Sequence, residues 1–461
     1  MLILGAGISL LFIAIAARWL VQKHNPQAVL LITGLIMLSL SLILGMNYDL
    51  ARVSTGSIVF DLFRSVAETF TGVLSRFGFM IMAIGGYVAY MNHIKASDAL
   101  VYVSMKPLSL FKKYPYVAAI MVIPIGALLS ICIPSASGLG LLMVVSIFPV
   151  LISLGVSRLT AVSVIAACTA FDIGPGFGNA ILASELAEMS AVSYFVGHQV
   201  PLVVPLVVLL MVIYYFSSRY YDKRDIENGK SSFVEAKDMT TQATTKVDAP
   251  LIYAVLPMLP VVLLIVFSDL FNTGITLDTT TAMLFSFVVA LIFELVRSRN
   301  LALFFAGIKY FWEGMGNLFM KVVTLIVCAE IFASGLIGLG FIEALVTGSM
   351  HLNLSGAAVG ILIAVIVFMA GVLMGSGNAA FFSFGPLVPN IAQKFGLATA
   401  DIITPIQFAS SMGRTVSPIS GVVVAISEIA GVSAFDLAKR NIIPFVIALV
   451  FMLVYNFVIL G

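Results

Sequence analysis

The run Ser410-Ser411-Met412-Gly413-Arg414-Thr415-Val416-Ser417-Pro418 sets one arginine among three serines and a threonine, beside a glycine and a proline. It lies deep in an apolar region. A guanidinium is always charged and offers a rigid fork that fits a carboxylate. At membrane depth such a charge is costly, and it faces a partner or a water-filled cavity. Glycine and proline weaken a helix interior, and hydroxyls satisfy the backbone groups that a break sets free. The chemistry this suggests is the binding of an organic anion at a broken helix.

Three further clusters share that character. Pro134-Ser135-Ala136-Ser137-Gly138 lies in the middle of 43 residues, Pro115 to Ser157, that contain no charge. Gly375-Ser376-Gly377-Asn378 lies in a second charge-free stretch between His351 and Lys394. Asp172-Ile173-Gly174-Pro175-Gly176-Phe177-Gly178-Asn179 interrupts residues 159–198, a little after Thr169. Exposed helix N-termini carry free N–H groups and a positive dipole end, which suit carboxylate; free carbonyls suit Na⁺. The candidate binding residues are therefore Ser135, Ser137, Gly138, Thr169, Asn179, Ser376, Gly377, Asn378, Ser411, Arg414, Thr415 and Ser417, with Asp172 as a candidate for ion coupling. An isolated Ser or Thr in a membrane helix usually bonds its own backbone. Four polar clusters in two matched pairs weigh against that reading. For Arg414 the competing role is a structural pair with a buried carboxylate such as Asp172 or Glu428.

The elements that must hold these clusters are membrane helices. Of the 461 residues, 61% are hydrophobic and 10% charged, against about 25% charged in soluble domains. The fold class is an all-α polytopic membrane protein. A net charge of +2 spread over loops suggests no nucleic-acid partner. The three cysteines lie far apart in apolar runs, with no metal-ligand spacing. The first 21 residues lack the basic start and cleavage site of a signal peptide and read as a retained span.

Taken in order, spans are expected at 2–21, 28–46 and 78–94, with an interfacial amphipathic helix over 47–77. A hairpin at 115–157 and a broken helix at 159–198 follow, then a span at 200–218. Residues 219–250, with six basic and six acidic side chains, read as a solvated cytoplasmic linker. The second part repeats the plan: spans at 251–271 and 282–297, an amphipathic piece at 298–314, a span at 317–341, a hairpin at 352–396, a broken helix at 398–438 and a last span at 442–460.

Spacing supports a repeat. Pro149 and Pro389 each follow a hairpin tip by 12 residues, counted from Ser137 and Gly377. Pro175 to Pro201 is 26 residues, as is Pro418 to Pro444. Lys and Arg in short loops set orientation. Lys23, the lysines at 95–113, Arg158, Arg297, Arg299, Lys309, Lys439 and Arg440 fit the cytoplasm, leaving Arg52, Arg64, Arg76 and Lys394 outside. On this scheme 1–218 and 251–461 are inverted-topology repeats, each with a hairpin and a broken helix; a hairpin that dips halfway and one that crosses twice give the same topology, and re-entrant hairpins are favoured because polar tips gain most at the midplane. That is the pattern of secondary transporters.

Enzyme readings find no support: there is no His-Glu-x-x-His, no nucleophile elbow and no phosphate loop. The last absence also disfavours an ATP-driven pump. A channel would need rings of like residues from a symmetric oligomer. A scaffold protein needs neither broken helices nor charge-free hairpins. Within transport, the alternatives are a carrier of another organic anion or amino acid, or a cation antiporter with Asp172 carrying the ion.

Ser135-Ala136-Ser137-Gly138-Leu139-Gly140, Gly375-Ser376-Gly377-Asn378-Ala379 and Gly413-Arg414-Thr415-Val416-Ser417-Pro418-Ile419-Ser420-Gly421-Val422-Val423-Val424-Ala425 resemble the anaerobic C4-dicarboxylate carrier family, DcuC branch, within a larger ion-transporter superfamily. So do Ala89-Tyr90-Met91-Asn92-His93-Ile94 and Tyr221-Asp222-Lys223-Arg224. The resemblance implies a homodimer in a bacterial inner membrane, with a fixed scaffold and a moving, elevator-type transport domain. It implies succinate, fumarate, malate or aspartate as substrate, by exchange or coupled to Na⁺ or H⁺, without a cofactor. The chain departs from the family pattern after the first-half proline. Gly176-Phe177-Gly178-Asn179 stands where the family has Thr-Ser-Gly-Asp, and an acid lies earlier, at Asp172.

Overall fold

The computed structural model describes residues 2–46, 54–111, 113–227, 249–268, 274–351 and 354–460. Every regular element among them is helical. Ten helices among the described residues are long and apolar enough to cross a membrane.

Start signals are local and legible. Ser135, Ser157, Ser355 and Ser376 each cap a helix by accepting a hydrogen bond from a backbone N–H three residues on, which satisfies one of the donors a helix start leaves free. Pro26 and Pro115 sit at helix starts, where their missing N–H costs nothing. The first hairpin consists of Pro115–Cys132 and Ala136–Ser146, continued by Phe148–Ser153. The second consists of Gly356–Met374 and Gly377–Phe384, continued through Gly385–Leu387 to Val388–Phe395. Its turn is made by Gly375 at φ +67°. A side chain there would meet the Ile419 carbonyl at 3.0 Å, so glycine serves both the turn and the approach. The broken helices are Arg158–Ala167 with Gly178–Leu186, and Thr399–Thr415 with Gly421–Ala430. Ser410 to Thr415 thus lie inside a helix, and the second break is confined to 416–420.

Four sequence expectations are corrected. The amphipathic segment is not a separate helix: Ile58–Val73 runs through a π-helical turn, Leu74–Gly78, straight into Phe79–His93. Residues 47–53 lie outside the described set. In the same way, Leu301–Leu318 continues through a π turn, Phe319–Val323, into Thr324–Gly338. The first part of each long helix carries charges, Asp61, Arg64, Glu68 and Arg76 in one and Lys309 and Glu313 in the other, which is why each read as an amphipathic piece followed by a span. The span at 251–271 is instead a 3₁₀ segment, Leu251–Met258, and a short helix, Leu259–Val266; residues 269–271 are outside the described set. Finally, the linker does not begin at 219. Val200–Glu227 is one helix, and Asp222 near its end is fully buried. Asp222 accepts hydrogen bonds from Ser157, Thr160 and Arg440 at 2.7–3.0 Å. Arg440 also pairs with Asp225, so it is not a loop charge.

The helices pack as two groups. One holds the described helices up to residue 111 together with those of 251–351; the other holds 115–227 and 356–460. Small residues set the closest approaches in the first group. Gly34 faces Gly335, and Gly85 faces Gly314. Gly85, Gly86 and Tyr90 meet Gly314, Phe311 and Gly307 in turn; one number rises as the other falls, so these two helices run antiparallel. In the second group, Gly413 lies against the Phe368 backbone and Gly371 against Ser410.

Candidate functional site

The hairpin tips lie against the breaks. At Gly176, an added side chain would touch Pro134 at 3.0 Å; at Gly375, it would touch the Ile419 carbonyl in the second break at the same distance, while Gly377 beside it meets the Ser410 carbonyl in the preceding helix. Gly140, in the second arm of the first hairpin, approaches Thr169 in the first break and Ile426 beyond the second. The four polar clusters picked from sequence therefore meet in one region.

That region has a half-open rim and a buried floor. Ser137 is exposed; Ser135, Gly138, Ser376 and Asn378 are half-buried. Ser135 and Ser376 are occupied as helix caps, accepting from the N–H groups of Gly138 and Ala379 at 3.1 and 3.2 Å. Thr169, Asp172, Asn179, Gly377, Ser411, Arg414, Thr415 and Ser417 are buried.

Asp172 organises the floor. Arg414 donates from both terminal nitrogens to its carboxylate, at 2.9 and 3.2 Å. Asn179 Nδ2 and Ser411 Oγ each donate to Asp172 Oδ2 at 2.8 Å. Arg414 also donates to the Thr169 carbonyl. Of the two partners considered for Arg414, Asp172 is the one it binds; Glu428 is exposed. The pair ties the first break to the second broken helix. Thr415 and Thr169 bond backbone carbonyls of their own turns, the usual habit of such hydroxyls. Four buried polar atoms here have no partner among the described residues: Arg414 Nε, Asn179 Oδ1, Ser417 Oγ and Ser420 Oγ. Buried polar atoms are ordinarily bonded, so such a group marks a place for water or a ligand.

Sequence reading missed the layer beneath. Gln407 Nε2 donates to the Asp172 backbone carbonyl at 2.8 Å. Gln199 Nε2 donates to Gln407 Oε1 at 3.1 Å, and Tyr194 OH donates to the same oxygen at 2.9 Å. Thr404 Oγ1 stands 3.0 Å from Tyr194 OH. The available signal was spacing: 404, 407, 411 and 414 form one polar stripe at helical period.

Fold and site together define an integral membrane protein whose interrupted helices bring polar groups into its interior. The profile of the family described as C4-dicarboxylate anaerobic carrier, DcuC, matches residues 4–460, and the chain belongs to that family. The anaerobic C4-dicarboxylate transporter DcuC of Escherichia coli O6:H1 (strain CFT073) is 31% identical over 439 residues, 95% of this chain and 93% of that protein. The probable anaerobic C4-dicarboxylate transporter DcuC of Vibrio cholerae serotype O1 is 32% identical over 443 residues, 96% and 95% of the two chains. Among solved structures, the Alcanivorax borkumensis YdaH transporter superposes with a TM-score of 0.58 at 14% identity, over 94% of this chain and 98% of that one. That likeness concerns the fold alone. The chain is a multi-pass protein of the bacterial inner membrane.

Proposed function

We propose that this chain is a secondary carrier of small C4-dicarboxylates such as succinate, fumarate, malate or aspartate. The observation that carries the reading is the meeting of two hairpin tips and two helix breaks around one buried ion pair, in a chain whose relatives are named for C4-dicarboxylate transport. A dicarboxylate leaving water loses strong hydration, and helix N-termini at the tips replace it. Ser135, Ser137 and Gly138 line one tip, and Ser376, Gly377 and Asn378 the other. Arg414 acts beneath them through Asp172: both ends of its fork are taken and its third nitrogen is buried. The Asp172 carboxylate accepts four donors, which argues against its holding a coupling cation in this arrangement. Na⁺ or H⁺ coupling, or exchange, then runs through other groups.

The halves 1–218 and 251–461 are read as inverted repeats with re-entrant hairpins. The antiparallel crossing at Gly85 and Gly314 supports this. So does the exchange of arms: Ala136–Ser146 packs on Gly421–Ala430, and Gly377–Phe384 packs on Gly178–Leu186. The two packed groups suit an elevator, the second moving against a dimeric scaffold formed by the first. The test is uptake of labelled succinate into proteoliposomes, with and without internal succinate. Uptake above protein-free vesicles is expected; none, with the protein folded, sinks the reading.

A further inference from the structure

We infer that Gln407 and Gln199 are positioning residues, a pair of amides that clamps the backbone of the first break and so presents Asp172. The N–H groups of 168–170 bond back to the end of helix Arg158–Ala167, but none of 171–176 donates to another backbone group, so something else must hold that stretch. Gly174 takes φ +107°, a conformation that side-chain-bearing residues rarely adopt. Its N–H donates to Gln199 Oε1 at 2.9 Å. That bond decides every other orientation in the cluster. With its oxygen on Gly174, Gln199 presents its nitrogen to Gln407 Oε1 at 3.1 Å. Gln407 then presents its own nitrogen to the Asp172 carbonyl at 2.8 Å. Tyr194 OH donates into the same Gln407 oxygen at 2.9 Å and holds it from the far side. Both glutamines are fully buried. The side chain of Asp172 is thus set by Arg414, Asn179 and Ser411, and its backbone by two amides, Gln407 on the Arg414 helix and Gln199 from outside it.

An amide is suited to this because it donates and accepts at once without charge. Glutamate at 407 has the same shape. Protonated, it still donates to the Asp172 carbonyl and accepts from Tyr194 and Gln199. Ionised, it faces that carbonyl with no donor. The titratable and charged groups on elements packed against the helix Thr399–Thr415 are Tyr194, His198, Glu185, Lys394, Asp436, Lys439, Arg440 and Tyr455. Asp172 lies across from it, and Asp401 and Arg414 lie on it. Of these, Tyr194 and the Asp172 carbonyl bond Gln407 directly.

Two measurements on the full-length protein decide the matter. Hydrogen–deuterium exchange should be at least about tenfold faster over residues 170–180 in Gln407→Leu than in wild type, and unchanged over 2–43. Unchanged exchange at 170–180, or uniform acceleration everywhere, overturns the clamp. The consequence for transport rests on the carrier reading above. There, the succinate KM of Gln407→Glu divided by that of wild type should fall at least about tenfold from pH 8 to pH 5.5, as the carboxyl regains its proton. A flat ratio overturns the positioning role. If wild type takes up no succinate, the carrier reading fails while the exchange result still decides the clamp.

Discussion

Arg414 and Asp172 each make sense only with the other present. Removing one partner of a buried pair strands a charge and costs about 3–5 kcal/mol. Arg414→Gln and Asp172→Asn should therefore each lower the melting temperature of the purified protein and abolish succinate uptake. The double variant should recover stability and bring the succinate KM within about tenfold of wild type. A stable double variant whose KM stays higher would mean that Arg414 touches substrate itself. The pair was legible because an arginine stands out in an apolar, hydroxyl-rich run. Gln407 was legible only as one member of a polar stripe at 404, 407, 411 and 414, since a neutral amide in a membrane helix does not show what it binds until its partners are known. Asp222 was hidden in the opposite way: it sits in a run of mixed charges that reads as solvated, and only the fold brings Arg440 to it.

Hairpins and breaks were readable as elements because local rules place them. Serine caps and glycine turns mark the tips, and charge-free length marks the arms. The long helices were misread because the charges of their first parts give an interfacial, amphipathic pattern, while a π turn carries each helix on into the next apolar run without a stop. Arg76 there is bonded to Glu330 at 2.9 Å, a partner 254 residues away in sequence. Close packing between those helices is testable. A methyl at Gly314 would lie 2.4 Å from the Gly85 carbonyl oxygen, whereas Gly316 has nothing within 4 Å. Gly314→Ala should lower the melting temperature by several degrees, and Gly316→Ala should leave it unchanged; equal effects would refute the contact. At the first tip, Ser137 is exposed and invites a chemical probe. With Cys132, Cys168 and Cys328 replaced, Ser137→Cys should react with a small thiol reagent and be protected by succinate. Reaction at the same rate with and without succinate would remove the tip from the binding site.

As a whole, the molecule draws one group of helices from the first part of each half and the other group from the second part. Gly178 and Val322 belong to different groups, and a side chain at 178 would lie 3.0 Å from Val322. With the native cysteines removed, a Gly178→Cys, Val322→Cys disulfide should stop succinate uptake, and reduction should restore it. Full uptake with the bridge closed would refute relative motion of the groups.

The buried Asp222 has a mechanical consequence. It anchors the end of helix Val200–Glu227 to one group, while Tyr87 of the other group donates to the Leu256 carbonyl just past the re-entry at Pro250. The two anchors are joined by residues 228–248, whose contour length caps their separation at about 70 Å at roughly 3.5 Å per residue. Such a cap acts only once the chain is short enough to reach it. Stepwise deletion from 228 to 248 should leave succinate uptake flat, then drop it sharply at one length while the melting temperature holds. A fall proportional to every residue removed would show that the segment does more than tie the two bodies together.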